Sequence, residues 1–128
     1  MAVAADRQVA CDVELVRDKG PDQWRDLLGG QLFDLANLIS RSTTEGLQTA
    51  ATRVWSAAEC LTKAGLSTRA TLTLDDTTSD GWVSLRSGKL QIETWVWPTD
   101  GDRAAQVYAI LVGPREEVIA CDLLNTST

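Results

Sequence analysis

Histidine is missing from this sequence altogether. Without an imidazole the chain cannot assemble serine–histidine or cysteine–histidine hydrolase machinery, and it lacks the ligand most zinc sites use. Cysteine is scarce and scattered. Cys11, Cys60 and Cys121 form no CxxC pair and are odd in number, which suggests neither a disulfide framework nor a zinc site. Basic residues are outnumbered, 12 Lys and Arg against 18 Asp and Glu, and a net charge of −6 argues against the basic face that nucleic acid requires. No apolar run approaches the roughly 18 residues of a membrane span, and the N-terminus lacks a charged region followed by an apolar core and a cleavage site. On these absences the chain is expected to be cytoplasmic. They leave carboxylates, lysines, arginines and a cation as the available catalytic groups.

What is present fits one soluble domain. The 128 residues suffice for one core, 44% of them are apolar and 23% charged, and the expected unit runs over residues 1–124 with a polar tail at 125–128. The longest helix ends in Arg53-Val-Trp-Ser-Ala-Ala-Glu-Cys-Leu-Thr-Lys-Ala-Gly65. Leu47, Ala50, Ala51, Val54, Ala58 and Leu61 recur at spacings of three and four and form its buried stripe. Trp55, Glu59 and Lys63 fall at i, i+4 and i+8 along a neighbouring flank. Cys60, about 100° around the helix from Glu59, should pack inward.

Before this helix, Ala2–Val16 reads as a hairpin or an entering strand, with Cys11 and Val13 on the core face and Asp12 and Glu14 on the other. Gly20-Pro21-Asp22 starts a short helix carrying Trp24, Leu27 and Leu28, which Gly29-Gly30 ends. Those glycines are not a phosphate loop, since no GK[ST] follows. Leu32, Leu35, Ala36, Leu38 and Ile39 mark a second helix, and Thr43 or Thr44 is expected to cap the third. After Gly65 the period becomes that of strands. Ala70–Leu74, Trp82–Arg86, Leu90–Trp97, Gln106–Val112 and Glu117–Leu124 are expected strands, separated by turns at Asp75–Gly81, Ser87-Gly88 and Thr99–Asp102. The expected fold class is α+β, an antiparallel sheet with helices packed on one face. Asp76–Gly81 has the front of a calcium loop, but Ser87 stands where the closing glutamate belongs. Asn125-Thr-Ser127 is a glycosylation sequon without a secretion signal.

Asp12, Glu14, Glu59 and Lys63 remain. If the long helix packs beside the first strand, three carboxylates converge, and two of them about 5 Å apart repel by roughly 3 kcal/mol at an effective dielectric near 20. Either one acid keeps its proton or a cation sits among them, and a half-closed cluster of oxygens suits Mg²⁺ carrying phosphates. The plain alternative is a set of solvated surface acids.

Val9-Ala-Cys-Asp-Val-Glu14 resembles the (I/V)GxDxE strand of the 4′-phosphopantetheinyl transferases, and Trp55-Ser-Ala-Ala-Glu-Cys-Leu-Thr-Lys63 resembles their WxxKExxxK helix. Order and separation fit, and the likeness covers nearly the whole chain. The resemblance implies a phosphopantetheinyl transferase-like fold and transfer of 4′-phosphopantetheine from coenzyme A to a serine of an acyl or peptidyl carrier protein, as in polyketide synthesis. It implies Mg²⁺ held by Asp12, Glu14 and Glu59. Glu59 would also take the serine proton, and Lys63 would act on the substrate's phosphates. The lysine before the family's glutamate is Ala58 here, which makes Arg53 and Arg69 the nearest replacements for the missing charge. The chain begins after the point where surfactin-type members carry a serine–histidine segment and an earlier half-domain. It is therefore expected to pair with a missing N-terminal half or to form an oligomer, a trimer first and a dimer second. The alternatives are a non-catalytic module that docks a carrier protein or coenzyme A, and a plain structural domain of a larger synthase.

Overall fold

The structure is a computed structural model that describes residues 10–65, 71–97 and 105–112. Within them the order is β1 (Ala10–Leu15), α1 (Pro21–Leu28), α2 (Gly30–Thr43), α3 (Leu47–Lys63), β2 (Thr73–Thr77), β3 (Val83–Ser87), β4 (Leu90–Trp97) and β5 (Gln106–Val112). The five strands form one sheet in the order β1-β5-β4-β3-β2, with every neighbouring pair antiparallel. The α+β class holds. The expected strand at 117–124, the hairpin before Ala10, the turn at 99–102, the tail at 125–128, Arg69 and Cys121 lie outside the described residues.

Pro21 opens α1 because its missing N–H is one the helix start would leave unbonded anyway. The Gln23 side chain accepts the Gly20 N–H at 2.9 Å. Trp24 and Leu28, one turn apart, are buried, while Leu27 faces solvent. Gly29, at φ +83°, makes the sharp step into α2 that a side chain would resist. On α2 the buried residues are Phe33, Leu35, Ala36 and Ile39, so the buried face is shifted from the expected one: Phe33 joins it and Leu38 leaves it.

The threonine corner ends α2 and does not begin α3. Thr43 Oγ1 donates to the Ile39 carbonyl at 2.8 Å, Thr44 turns the chain at φ +66°, and Gly46 is the residue at the N-cap of α3. A hydroxyl spent on the preceding turn is no longer available to cap the next one.

α3 buries Ala50, Ala51, Val54, Ala57, Cys60 and Leu61. Four of these are small, which lets the helix lie close over β1 and β5. Arg53 fixes its position on the sheet. Its guanidinium donates to both Glu45 carboxylate oxygens at 2.8 and 3.0 Å, to the Thr94 carbonyl at 2.9 Å and hydroxyl at 3.0 Å, and to the Gly81 carbonyl at 2.9 Å.

Strand alternation sends Leu85, Ile92, Val107, Ala109 and Leu111 toward the helices, where each is buried. β5 is an interior strand, between β1 and β4, and only one of its faces is covered, because Tyr108 and Ile110 point away from the helices. β2 begins later than expected and runs through Asp75 and Asp76 to Thr77, with a bulge between Leu74 and Asp76. The acids are tolerated because β2 is an edge strand, and Asp75 meets Arg86 of β3 at 3.4 Å.

The faces of β1 are the reverse of the expected ones. Ala10, Asp12 and Glu14 turn toward the helix layer, and Cys11, Val13 and Leu15 toward the open face. Cys11 is exposed, not core. Hydrophobicity alone favoured burying Cys11 and Val13, but α3 presents polar partners to Asp12 that offset the cost of burying it.

Candidate functional site

Asp12 is the anchor, 4% exposed on the inward face of β1. A buried carboxylate must be hydrogen-bonded, and α3 supplies the donors. Ser56 Oγ donates to Asp12 Oδ2 at 2.8 Å, and Lys63 Nζ donates to Asp12 Oδ1 at 2.7 Å and to the Cys11 carbonyl at 3.2 Å. Ser56 and Lys63 are two helical turns apart, so both can reach one strand residue. Glu59 lies between them on the same flank and is half-buried, as is Glu14 two residues along β1.

The electrostatics of this corner show most clearly at Glu14, whose pKa rises from an ordinary 4.5 to about 7. Burial is the largest cause, followed by its hydrogen bond to Asp12 and the negative charges of Asp12 and Glu59, with Lys63 pulling the other way. The Lys63 pKa is raised, first by its hydrogen bond to Asp12. Cys60, beneath the cluster, is pushed up to about 12, chiefly by burial and then by the Asp12 charge, and its thiol donates to the Ala109 carbonyl at 3.3 Å. It is a packed thiol, not a nucleophile.

Asp12, Glu14, Glu59 and Lys63 are thus brought into mutual influence from two stretches more than forty residues apart. As the side chains stand, no group of three or more acids, cysteines or histidines among the described residues is drawn close enough to hold a metal ion. In chemistry the set suits a hard divalent cation, since its donors are oxygens and Lys63, bonded to Asp12, is the one cation among the four residues. Part of the rise in the Glu14 pKa, after burial and the hydrogen bond to Asp12, comes from the negative charges of Asp12 and Glu59, which such a cation would offset.

A groove of about 270 Å³ starts at Glu14 and runs between β1, α1 and α3, lined by Trp24, Leu27, Thr52 and Trp55 with Arg17 and Lys19. Its wall is braced by Gln48, whose Oε1 accepts from Trp24 Nε1 at 2.7 Å and from the Lys19 amide at 2.9 Å, while its Nε2 donates to the Lys19 carbonyl at 2.6 Å. A second cavity of about 340 Å³, around Arg53, Glu45, Thr78 and Trp82, shares no residue with the groove.

Arg53, a candidate for the substrate's phosphates, is not brought to the acids. Its donors are all spent on Glu45, Thr94 and Gly81, and it is 2% exposed. Sequence reasoning missed Ser56, Arg17 and Lys19. Ser56 could have been found as a small hydroxyl one turn before Glu59 and two before Lys63. The signal for the other two is the alternating charge of Arg17-Asp18-Lys19 just after the acidic strand. No family model matches the chain, and no curated protein or solved structure matches it.

Proposed function

We propose that this chain is a Mg²⁺-dependent 4′-phosphopantetheinyl transferase that moves phosphopantetheine from coenzyme A to a serine of an acyl or peptidyl carrier protein. The observation that supports this most is the meeting of Asp12 and Glu14 with Glu59 and Lys63, since the two motifs of the resemblance face each other across the β1–α3 contact. The α+β arrangement, with helices on one face of an antiparallel sheet, is compatible with a fold of that family.

In the reaction the carrier serine Oγ bonds to the phosphorus that bears pantetheine. The bond from that phosphorus to the bridging oxygen breaks, and 3′,5′-ADP leaves. Asp12, Glu14 and Glu59 would hold Mg²⁺, which when bound supplies positive charge to the pyrophosphate. Glu59, half-buried at the rim, receives the serine proton directly or through a water. Lys63, its side chain 55% exposed, is free to turn from Asp12 toward charge developing on the leaving phosphate. Ser56 keeps Asp12 oriented when Lys63 turns away. Arg17 and Lys19 line the groove next to Glu14 and offer the positive charge that Ala58 does not.

A second reading has an observation of its own. Lys63 closes on Asp12, and Ala58 stands where the family has a lysine, as in a module that binds coenzyme A or a carrier protein without turnover. Incubation with coenzyme A, Mg²⁺ and an apo carrier protein, followed by intact mass, separates the two. A carrier heavier by one phosphopantetheine is expected. Coenzyme A binding without transfer would leave the docking module, and neither binding nor transfer would remove both.

A further inference from the structure

The three helices lie on one side of the sheet, and we infer that its open side holds a binding site for a small methylated ammonium ion, a hollow walled by tryptophan and tyrosine rings with a carboxylate beside it. This does not rest on the transferase reading.

Strand parity brings the walls together. Trp95 and Trp97 of β4 and Tyr108 and Ile110 of β5 point away from the helices, because alternate residues share a face and their neighbours Thr94, Val107 and Ala109 are the buried ones. Trp95 lies directly opposite Tyr108 in the register, and its ring is the hub. Trp82 stacks on it at 6.1 Å with the planes 29° apart, Tyr108 tilts toward it at 6.5 Å and 42°, and Trp97 meets it edge-on at 5.1 Å and 76°. Three of the five tryptophans and the single tyrosine of the chain thus gather at one point. Rings set at such different angles do not close into one flat stack. With Ile110 they line a hollow of about 350 Å³, at the small end of the range for ligand sites. The Tyr108 hydroxyl donates to Gln106 Oε1 at 3.1 Å, which steadies that wall. Trp97 is 56% exposed and Tyr108 36%, so the hollow is open to a ligand from solvent.

Charge selects the ligand. Glu93 stands opposite Ile110 in the register and two residues from Trp95, on the same face. Its carboxylate accepts hydrogen bonds from the Ser84 hydroxyl and the Gln91 side-chain amide, both neutral donors, so the carboxylate is held in place while its negative charge is left uncancelled. The basic residues of the β3–β4 hairpin, Arg86 and Lys89, stand at its other end, and Arg86 is engaged with Asp75. The faces of aromatic rings are negative as well. An anion is therefore repelled by both walls and neighbour. A cation bearing several N–H groups would need acceptors, and the hollow is walled by rings and one aliphatic side chain. A methylated ammonium needs none, since its charge is spread over methyl groups that can rest directly against ring faces. A neutral apolar molecule could fill the same space but would gain nothing from Glu93.

Isothermal titration of the full chain with choline, and separately with its uncharged isostere 3,3-dimethylbutan-1-ol, at fixed ionic strength tests this. Choline should bind saturably, and the isostere should bind at least roughly tenfold more weakly, because it keeps the shape and lacks the charge. Two variants locate the site. Trp97→Leu keeps an apolar side chain at an exposed position but removes one ring, and Glu93→Gln keeps the shape of the half-buried acid but removes its charge. Each should weaken choline binding several-fold, and Glu93→Gln should leave the isostere unaffected. An isostere that binds the wild type as tightly as choline would overturn the inference, since the hollow would then select by shape alone. No saturable binding of choline to the wild type would overturn it too, and so would choline binding unchanged in both variants, which would put the ion elsewhere on an acidic chain.

Discussion

At Glu14 the fold and the proposed chemistry meet in one carboxyl group. Its folded-state pKa, about 7, lies above the ordinary 4.5, so the folded chain holds this proton more tightly than the unfolded chain does. That contribution to stability is fully present below pH 4.5 and is lost as the pH rises through about 7. Glu14→Gln, which cannot ionise, should therefore melt higher than the wild type at pH 8 by more than it does at pH 5. Mg²⁺ should raise the wild-type melting temperature more at pH 8 than at pH 5, since it binds the ionised form. The same difference in melting temperature at both pH values would show that Glu14 is not held protonated by the fold. Ala58 has a different consequence. It is half-buried against the core, one position before Glu59, so a lysine there would reach the rim by extending its ammonium outward. Such a charge meets the substrate's phosphates before and after the reaction alike. Ala58→Lys should lower KM for coenzyme A several-fold with kcat nearly unchanged, and a hundredfold rise in kcat at constant KM would contradict that.

Among the elements, α3 carries both the site and the core, and the two duties were unequally legible in the sequence. Its buried stripe could be read from spacing because apolar periodicity survives any packing partner, and Val54 and Leu61 are where the spacing puts them. Arg53 could not. An arginine on a helix looks like a surface cation until the sheet brings Thr94 and Gly81 beneath it, and those partners lie 41 and 28 residues away. The faces of β1 were misread for a similar reason: Asp12 is buried only because Ser56 and Lys63 reach it from another element. Local pattern gives the period of a strand; which parity faces inward depends on its neighbours. Arg53→Ala should leave Glu45 and the Thr94 carbonyl without their donor and cost about 3 kcal/mol of stability in urea unfolding. KM for coenzyme A, measured where the variant is folded, should not change. A stability loss under 1 kcal/mol together with a large rise in KM would return Arg53 to the substrate.

For the whole molecule, the sequence's turn from helical to alternating period after Gly65 carried the architecture, because one face of helices and one sheet are nearly the only way to bury both patterns in a single domain. The strand order, with β5 between β1 and β4, depends on pairing over the length of the chain and was only partly legible, through the apolar run at 106–112. That order places β1 at an edge under α3, where its two acids meet Glu59 and Lys63. The most direct test is the rate of phosphopantetheine transfer to an apo carrier protein in the presence of coenzyme A and Mg²⁺, compared between the wild type and Glu59→Gln at matched fold by circular dichroism. Loss of a general base typically costs about 10²- to 10⁴-fold, so the variant should fall by that order while the wild type modifies the carrier to completion. A wild type that transfers nothing, or a Glu59→Gln variant that transfers as fast as the wild type, would contradict the account.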